Sequence, residues 1–103
     1  VTAGQVRVLV RYQAPGDDPE AVVQAYKLVC EELRGTPGLL GSELLASTLD
    51  EGRFAVLSLW SDAARFQEWE QGPAHKGQTS GLRPFRDTSS GRGFDFYEVV
   101  HAL

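Results

Sequence analysis

One cysteine and two histidines are all this chain has of the side chains that most often hold metals. Cys30 alone excludes an intrachain disulfide and any cysteine-rich zinc site, and His75 and His101 stand too far apart for a helical i, i+4 metal pair. No protein-held metal and no cofactor is therefore expected. Positive charge is also scarce: ten Lys and Arg against fourteen Asp and Glu give a formal net charge of −4, so the basic field that releases counterions from nucleic acid is missing. No nucleic-acid partner is expected. No apolar run approaches the roughly 20 residues needed to cross a bilayer, and Val1 to Val10 reads as strand rather than as a signal segment. The expected location is cytoplasmic, with no membrane partner.

What is present fits one domain over residues 1–103, with 42% hydrophobic residues and no room for a separate cofactor-binding domain. Gln5 to Gln13 alternates Val6, Val8, Val10 and Tyr12 with Arg7, Leu9 and Arg11, the period of two that marks a strand. Turn residues follow, and Asp18-Pro19-Glu20 predicts a helix start with Asp18 as cap. Val22, Val23, Tyr26, Val29, Cys30 and Leu33 then recur at helical spacing up to Gly35, with Cys30 read as a small core residue. Leu39 to Thr48 and Arg53 to Trp60 read as a hairpin about the loop 49–52. Ser61 is the expected cap of a second helix carrying Ala64, Phe66 and Trp69, which closes near Gly72-Pro73. A helical turn from Pro73 to Leu82, a Gly- and Ser-rich loop from Arg83 to Gly93, and a last strand from Phe94 to Val100 complete the chain.

The order βαββαβ is the ferredoxin-like α+β unit, a four-stranded antiparallel sheet with two helices on one face. Helices cover only one side. Yet strand three is apolar on both faces, Phe54, Val56 and Trp60 on one and Ala55, Leu57 and Leu59 on the other. A second copy stacked on the free face would bury it, so a sheet-to-sheet homodimer is expected.

Pro37-Gly38-Leu39, the strand Phe54 to Leu59 ending in Trp60-Ser61-Asp62, Phe66 and Trp69, and the closing Gly72-Pro73-Ala74 together resemble the antibiotic biosynthesis monooxygenase family. The resemblance runs from about Val6 to His101. It implies a dimeric α+β barrel with a pocket between each sheet and its helices. It also implies one of several activities: cofactor-independent oxygenation of a hydroxylated ring, haem degradation, action on quinols, or isomerisation. The haem branch uses an Asn in strand one, a Trp in helix two and a His ten residues later. Only Trp69 matches, since strand one has no Asn and the third position is Thr79. The polyketide-oxygenase branch matches at Trp60, with Gly41 expected beside it across the ladder. Its Asn, Tyr and Arg positions fall on Val56, on Phe66, and near Thr79 and Ser80.

Cofactor-free oxygenation requires a buried apolar ring site, a group that favours the substrate anion, and exclusion of water. On that basis Trp60, His75 and Arg83 are the candidate catalytic residues. Trp60 offers an indole N–H or is a core residue at a strand end. His75 titrates near neutrality and suits a general base, or is a surface residue beside Lys76. Arg83 and Arg86 would pair with a phenolate or carboxylate, or are solvated loop residues. Tyr26, Phe66, Trp69, Thr79 and Arg86 are the candidate substrate-binding residues, and Gln78 is a weaker polar candidate. The loop 87–93 is either a lid or a plain connector; Gly91 and Gly93 lack the strand-then-helix context of a phosphate loop. The expected function is a small cofactor-independent monooxygenase of an aromatic polyketide-like phenol or quinol, with O2 and that substrate as partners. A cyclase or isomerase without O2 use, or a non-catalytic protein that binds an aromatic metabolite, are the alternatives.

Overall fold

The computed structural model describes residues 4–73 and 77–103. Strands β1 (Val6–Gln13), β2 (Leu39–Ala46), β3 (Arg53–Trp60) and β4 (Asp95–Glu98) form one antiparallel sheet in the order β2-β3-β1-β4. Helices α1 (Glu20–Leu33) and α2 (Ala63–Gln71) and a 3-10 helix (Ser80–Phe85) accompany the sheet. This is the ferredoxin-like α+β arrangement that the alternation pattern predicts.

Register explains which side chains meet. Val6, Val8, Val10 and Tyr12 of β1 lie opposite Trp60, Ser58, Val56 and Phe54 of β3, so these eight residues share the face toward the helices. Packing on that face divides in two. Tyr12, Ala14, Val22, Val29 and Leu82 form a core beneath α1 and the 3-10 helix, while Val6, Val8, Trp60 and Phe66 form another beneath α2. Val10 packs against both.

Several local expectations are corrected. Asp18 does not cap α1 with its side chain; Pro19 holds the cap position, and the Asp18 carbonyl accepts from Ala21 N–H. The cap of α2 is Asp62 rather than Ser61, its carboxylate accepting from Arg65 N–H at 2.9 Å. Ala63, not Ala64, packs on the core, because it lies three residues before Phe66 on the same helical face. Gly41 is not beside Trp60: the hairpin register pairs it with Leu59 on the other face, and a bulge between Leu39 and Gly41 then places Leu39 opposite Trp60. Arg83 belongs to the 3-10 helix rather than to the loop, and β4 is shorter than the run from Phe94 to Val100.

Gly38 shows why the turn into β2 needs glycine. Its φ is +84°, and a Cβ there would stand 2.4 Å from Arg65 Cβ, while its carbonyl accepts from Ser61 N–H at 2.8 Å. The turn thereby ties the start of β2 to the start of α2.

On the face away from the helices, Asp95 is only 5% exposed because Arg11 and Arg92 close over it, the latter at 2.9 Å. The hydrogen bond from Arg11, with the charges of both arginines, holds the Asp95 carboxyl below the ordinary carboxylate range despite the opposing effect of burial. A depressed folded pKa stabilises the protein fully above the unfolded value near pH 4, and that contribution disappears as pH falls through the lower folded value. Asp95→Asn is expected to lower the melting temperature at pH 7 and to flatten its decline in acid, so that variant and wild type converge once pH has fallen through the depressed folded value. Thermal melts followed by circular dichroism across that range check this.

Candidate active site

Between the two cores lies a cavity of about 300 Å³. Its floor is the sheet, with Val8, Val10 and Tyr12 on one strand and Val56, Ser58 and Trp60 on the next. The floor follows the strands from Trp60, opposite Val6, to Tyr12, six residues along β1 or about 20 Å. α1 supplies Tyr26, Val29 and Leu33, and α2 supplies Phe66, Trp69 and Glu70. Thr79, Leu82, Arg86, Gly93 and Phe94 close the remaining wall.

The Trp60 end is aromatic on every side. Ring centroids of Trp60 lie 5.4 Å from Phe66 and 5.3 Å from Trp69, and Phe66 stands 5.6 Å from Phe94 and 5.2 Å from Phe96. Such a cluster is rigid and favours a flat apolar ligand. Trp69 is braced from behind: its indole donates to Gln78 Oε1 at 2.8 Å, and Gln78 donates to the Glu32 carbonyl at 3.0 Å. Gln78 thus fixes α2 against the end of α1. At the other end Arg86 donates to the Gly93 carbonyl at 2.5 Å, which closes the loop 87–93 on itself, and its backbone bridges to Tyr12. A Cβ on Gly93 would approach the Arg86 guanidinium to 3.2 Å, so the missing side chain makes that contact possible.

Polar atoms on the floor are few and paired. Tyr26 Oη donates to Ser42 Oγ at 2.9 Å, and Trp60 Nε1 donates to Ser58 Oγ at 3.0 Å. Burial, reinforced by the neighbouring Cys30 thiol and opposed by Ser42, pushes the Tyr26 phenol up to about 12. Tyr26 therefore stays protonated and acts as a donor near neutral pH. Burial also raises the Tyr12 phenol, with the Arg86 charge pulling the other way.

The model of the antibiotic biosynthesis monooxygenase family matches residues 5–77, well over half of the chain. The chain belongs to the antibiotic biosynthesis monooxygenase family. Among curated proteins none matches its sequence. Among solved structures it resembles SnoaB, a cofactor-independent oxygenase from Streptomyces nogalater, with TM-scores of 0.79 and 0.77 in two crystal structures, 16% identity and 98% of each chain covered. It also resembles a heme-degrading protein from Mycobacterium tuberculosis, with TM-score 0.73, 22% identity, and 99% of this chain and 98% of that one covered. A Caulobacter crescentus protein described as an antibiotic biosynthesis monooxygenase gives TM-score 0.73 at 16% identity, covering 96% of this chain and 92% of that one. At these identities the likeness establishes a shared fold.

Within the family's fold, six of the residues singled out in the sequence come together around the cavity: Tyr26, Trp60, Phe66, Trp69, Thr79 and Arg86. Arg83 is exposed on the 3-10 helix and is not among the lining residues. His75 lies outside the described residues. The structure adds Ser42, Ser58, Tyr12 and Glu70, which the sequence pattern does not single out. Ser58 carries a signal nonetheless: it is a lone hydroxyl in the otherwise apolar run from Phe54 to Trp60, on the same face as Trp60. The described lining offers a haem iron no imidazole, thiolate or thioether; the Tyr26 phenol is engaged with Ser42, and burial disfavours the phenolate that Tyr12 would need to ligate iron. Those residues do not fit a haem. Among the described residues no group of three His, Cys, Asp or Glu could hold a metal ion, and no helix is long and apolar enough to cross a membrane.

Proposed function

We propose that the protein is a cofactor-independent monooxygenase acting on a small aromatic, polyketide-like phenol or quinol in natural-product biosynthesis, working as a cytoplasmic homodimer. The observation that carries this reading is the aromatic-walled cavity on the helix side of the sheet, in a chain of this family, with a short hydrogen-bonded strip on its floor. A fused ring system lies in the cavity against the wall formed by Trp60, Phe66 and Trp69. Its ionised form is electron-rich enough to reduce O2 directly, so the protein's work is to bind the ring, favour the anion and exclude water. Arg86 and Thr79 on the cavity wall bind the substrate's polar edge. Arg83 lies one turn away and takes part only if the 3-10 helix shifts.

His75 is the candidate proton acceptor on chemical grounds, and Glu70 is the one carboxylate in the described lining. The two predict different variants to fail: with His75 as base, His75→Ala loses turnover while Glu70→Gln keeps it, and with Glu70 as base the reverse holds. We expect the former, with His75→Ala lowering kcat about 100-fold or more.

The deciding experiment is oxygen uptake with a hydroxynaphthalene or anthrone substrate, repeated under nitrogen. Uptake matched by quinone formation supports the oxygenase. Product formed equally under nitrogen replaces it with a cyclase or isomerase, and tight binding without turnover replaces it with a metabolite-binding protein.

A further inference from the structure

Ser42 and Ser58 are cross-strand partners on β2 and β3, and both line the cavity. Directly paired residues on one face of an antiparallel sheet have their Cβ atoms about 5 Å apart, so the two hydroxyls stand side by side on the floor. Each is approached from a different direction by a large aromatic donor. An indole N–H can only donate, so Ser58 Oγ must accept from Trp60. Ser42 Oγ accepts from Tyr26, whose burial keeps its proton in place. A hydroxyl that accepts a hydrogen bond still has one proton to give. Apart from Tyr26 Oη, which already donates to Ser42, no acceptor is hydrogen-bonded to either serine among the described residues, and the row continues through Val8 and Phe96, whose side chains offer none.

From this we infer that Ser42 and Ser58 form a two-donor cradle for the ionised oxygen of the substrate, with Tyr26 and Trp60 as positioning residues that turn the two O–H groups into the cavity. The inference rests on the reading of the cavity as a phenol or quinol site and adds where the reacting oxygen sits. Position follows from it. The oxygen lies over the β2–β3 half of the floor, and the ring extends from there along the wall that Trp60 and Trp69 form together. Donors fixed before binding favour the anion over the neutral phenol, because an anionic acceptor makes the stronger hydrogen bond. The proton itself passes to the general base or to solvent.

The test uses 2-naphthol, whose neutral and ionised forms absorb differently, bound to the whole protein under nitrogen so that no oxygenation intervenes. In the wild type the bound naphthol is expected to ionise at least one pH unit below free naphthol. Ser42→Ala and Ser58→Ala should each raise that midpoint by about one unit, a tenfold loss of preference for the anion. Ser58→Thr, which keeps the hydroxyl, should restore it. Tyr26→Phe should move the midpoint part of the way while leaving naphthol bound, an effect that loss of packing alone would not produce. Binding with an unshifted midpoint, or serine variants that ionise naphthol as well as the wild type, would overturn the cradle and leave the oxygenase reading standing. If wild-type protein bound no naphthol, hydroxynaphthalene or anthrone, both would fall together.

Discussion

Trp60→Ala is expected to lower the free energy of unfolding by about 3–5 kcal/mol and to abolish binding of a flat aromatic ligand. Trp60 is 1% exposed at the end of β3, where it joins the sheet to α2 through Phe66 and Trp69. Removing the indole leaves a void under α2 that the short helix fills only by sliding, which would collapse the aromatic end of the cavity. Urea denaturation with circular dichroism detection measures the stability loss, and naphthol titration measures the second effect. Trp60→Phe separates the two contributions. It keeps most of the ring volume and deletes the N–H, so Ser58 loses its donor. That variant should retain ligand binding and fold with a loss of about 1–3 kcal/mol. A Trp60→Ala protein with wild-type stability and affinity would show that the cavity is built on something other than this cluster.

Trp60 is legible in the amino-acid sequence while its partner Ser58 is not, and the difference follows from how each residue is placed. Alternation fixes which residues share a strand face, and the pair of Val6 and Trp60 needs nothing beyond that period and a correctly placed hairpin. The four strands and two helices are legible for the same reason. Positions that depend on one-residue shifts are not. A hairpin closed by the loop 49–52 would put Gly41 beside Trp60, but the strands pair one residue off that register, which sets Gly41 opposite Leu59. Ser61 and Asp62 are both good caps, and only the backbone trajectory out of β3 decides that the carboxylate of Asp62 does the capping. Ser42 joins the site through this same one-residue difference in register, since a ladder with Gly41 beside Trp60 would turn every β2 side chain over. Arg83 and Arg86 are indistinguishable by composition. The backbone separates them: Arg83 sits inside the 3-10 helix, while Arg86 follows it in extended conformation, bridges to Tyr12 and joins the cavity wall. Local periodicity carries the sheet, and irregular backbone carries much of the polar site.

Leu57→Lys is expected to convert a dimer to a monomer, raising the dissociation constant at least 100-fold. The sheet face away from the cavity carries Leu9, Ala55, Leu57 and Leu59 at its centre, with Leu45 and Tyr97 exposed toward its edges. No helix of the described residues crosses it. Leu57 sits in the row Glu43, Leu57, Leu9, Asp95, so it lies near the middle of the patch, where a partner copy would desolvate it fully. A two-fold interface presents each substitution twice. Losing two leucine side chains removes about 3–6 kcal/mol of apolar burial, and a factor of 100 requires only about 2.7 kcal/mol. Burying two ammonium groups adds to the penalty. Because Leu57 points away from the cavity, the variant should still fold and still bind naphthol. Glu43→Gln at the edge of the same row, where solvent remains close, should shift the dissociation constant less than tenfold. Sedimentation velocity across the micromolar range measures both. A wild-type protein that sediments as a monomer at micromolar concentration, or a Leu57→Lys protein that dimerises as tightly as wild type, would mean that this face is covered by something other than a second copy.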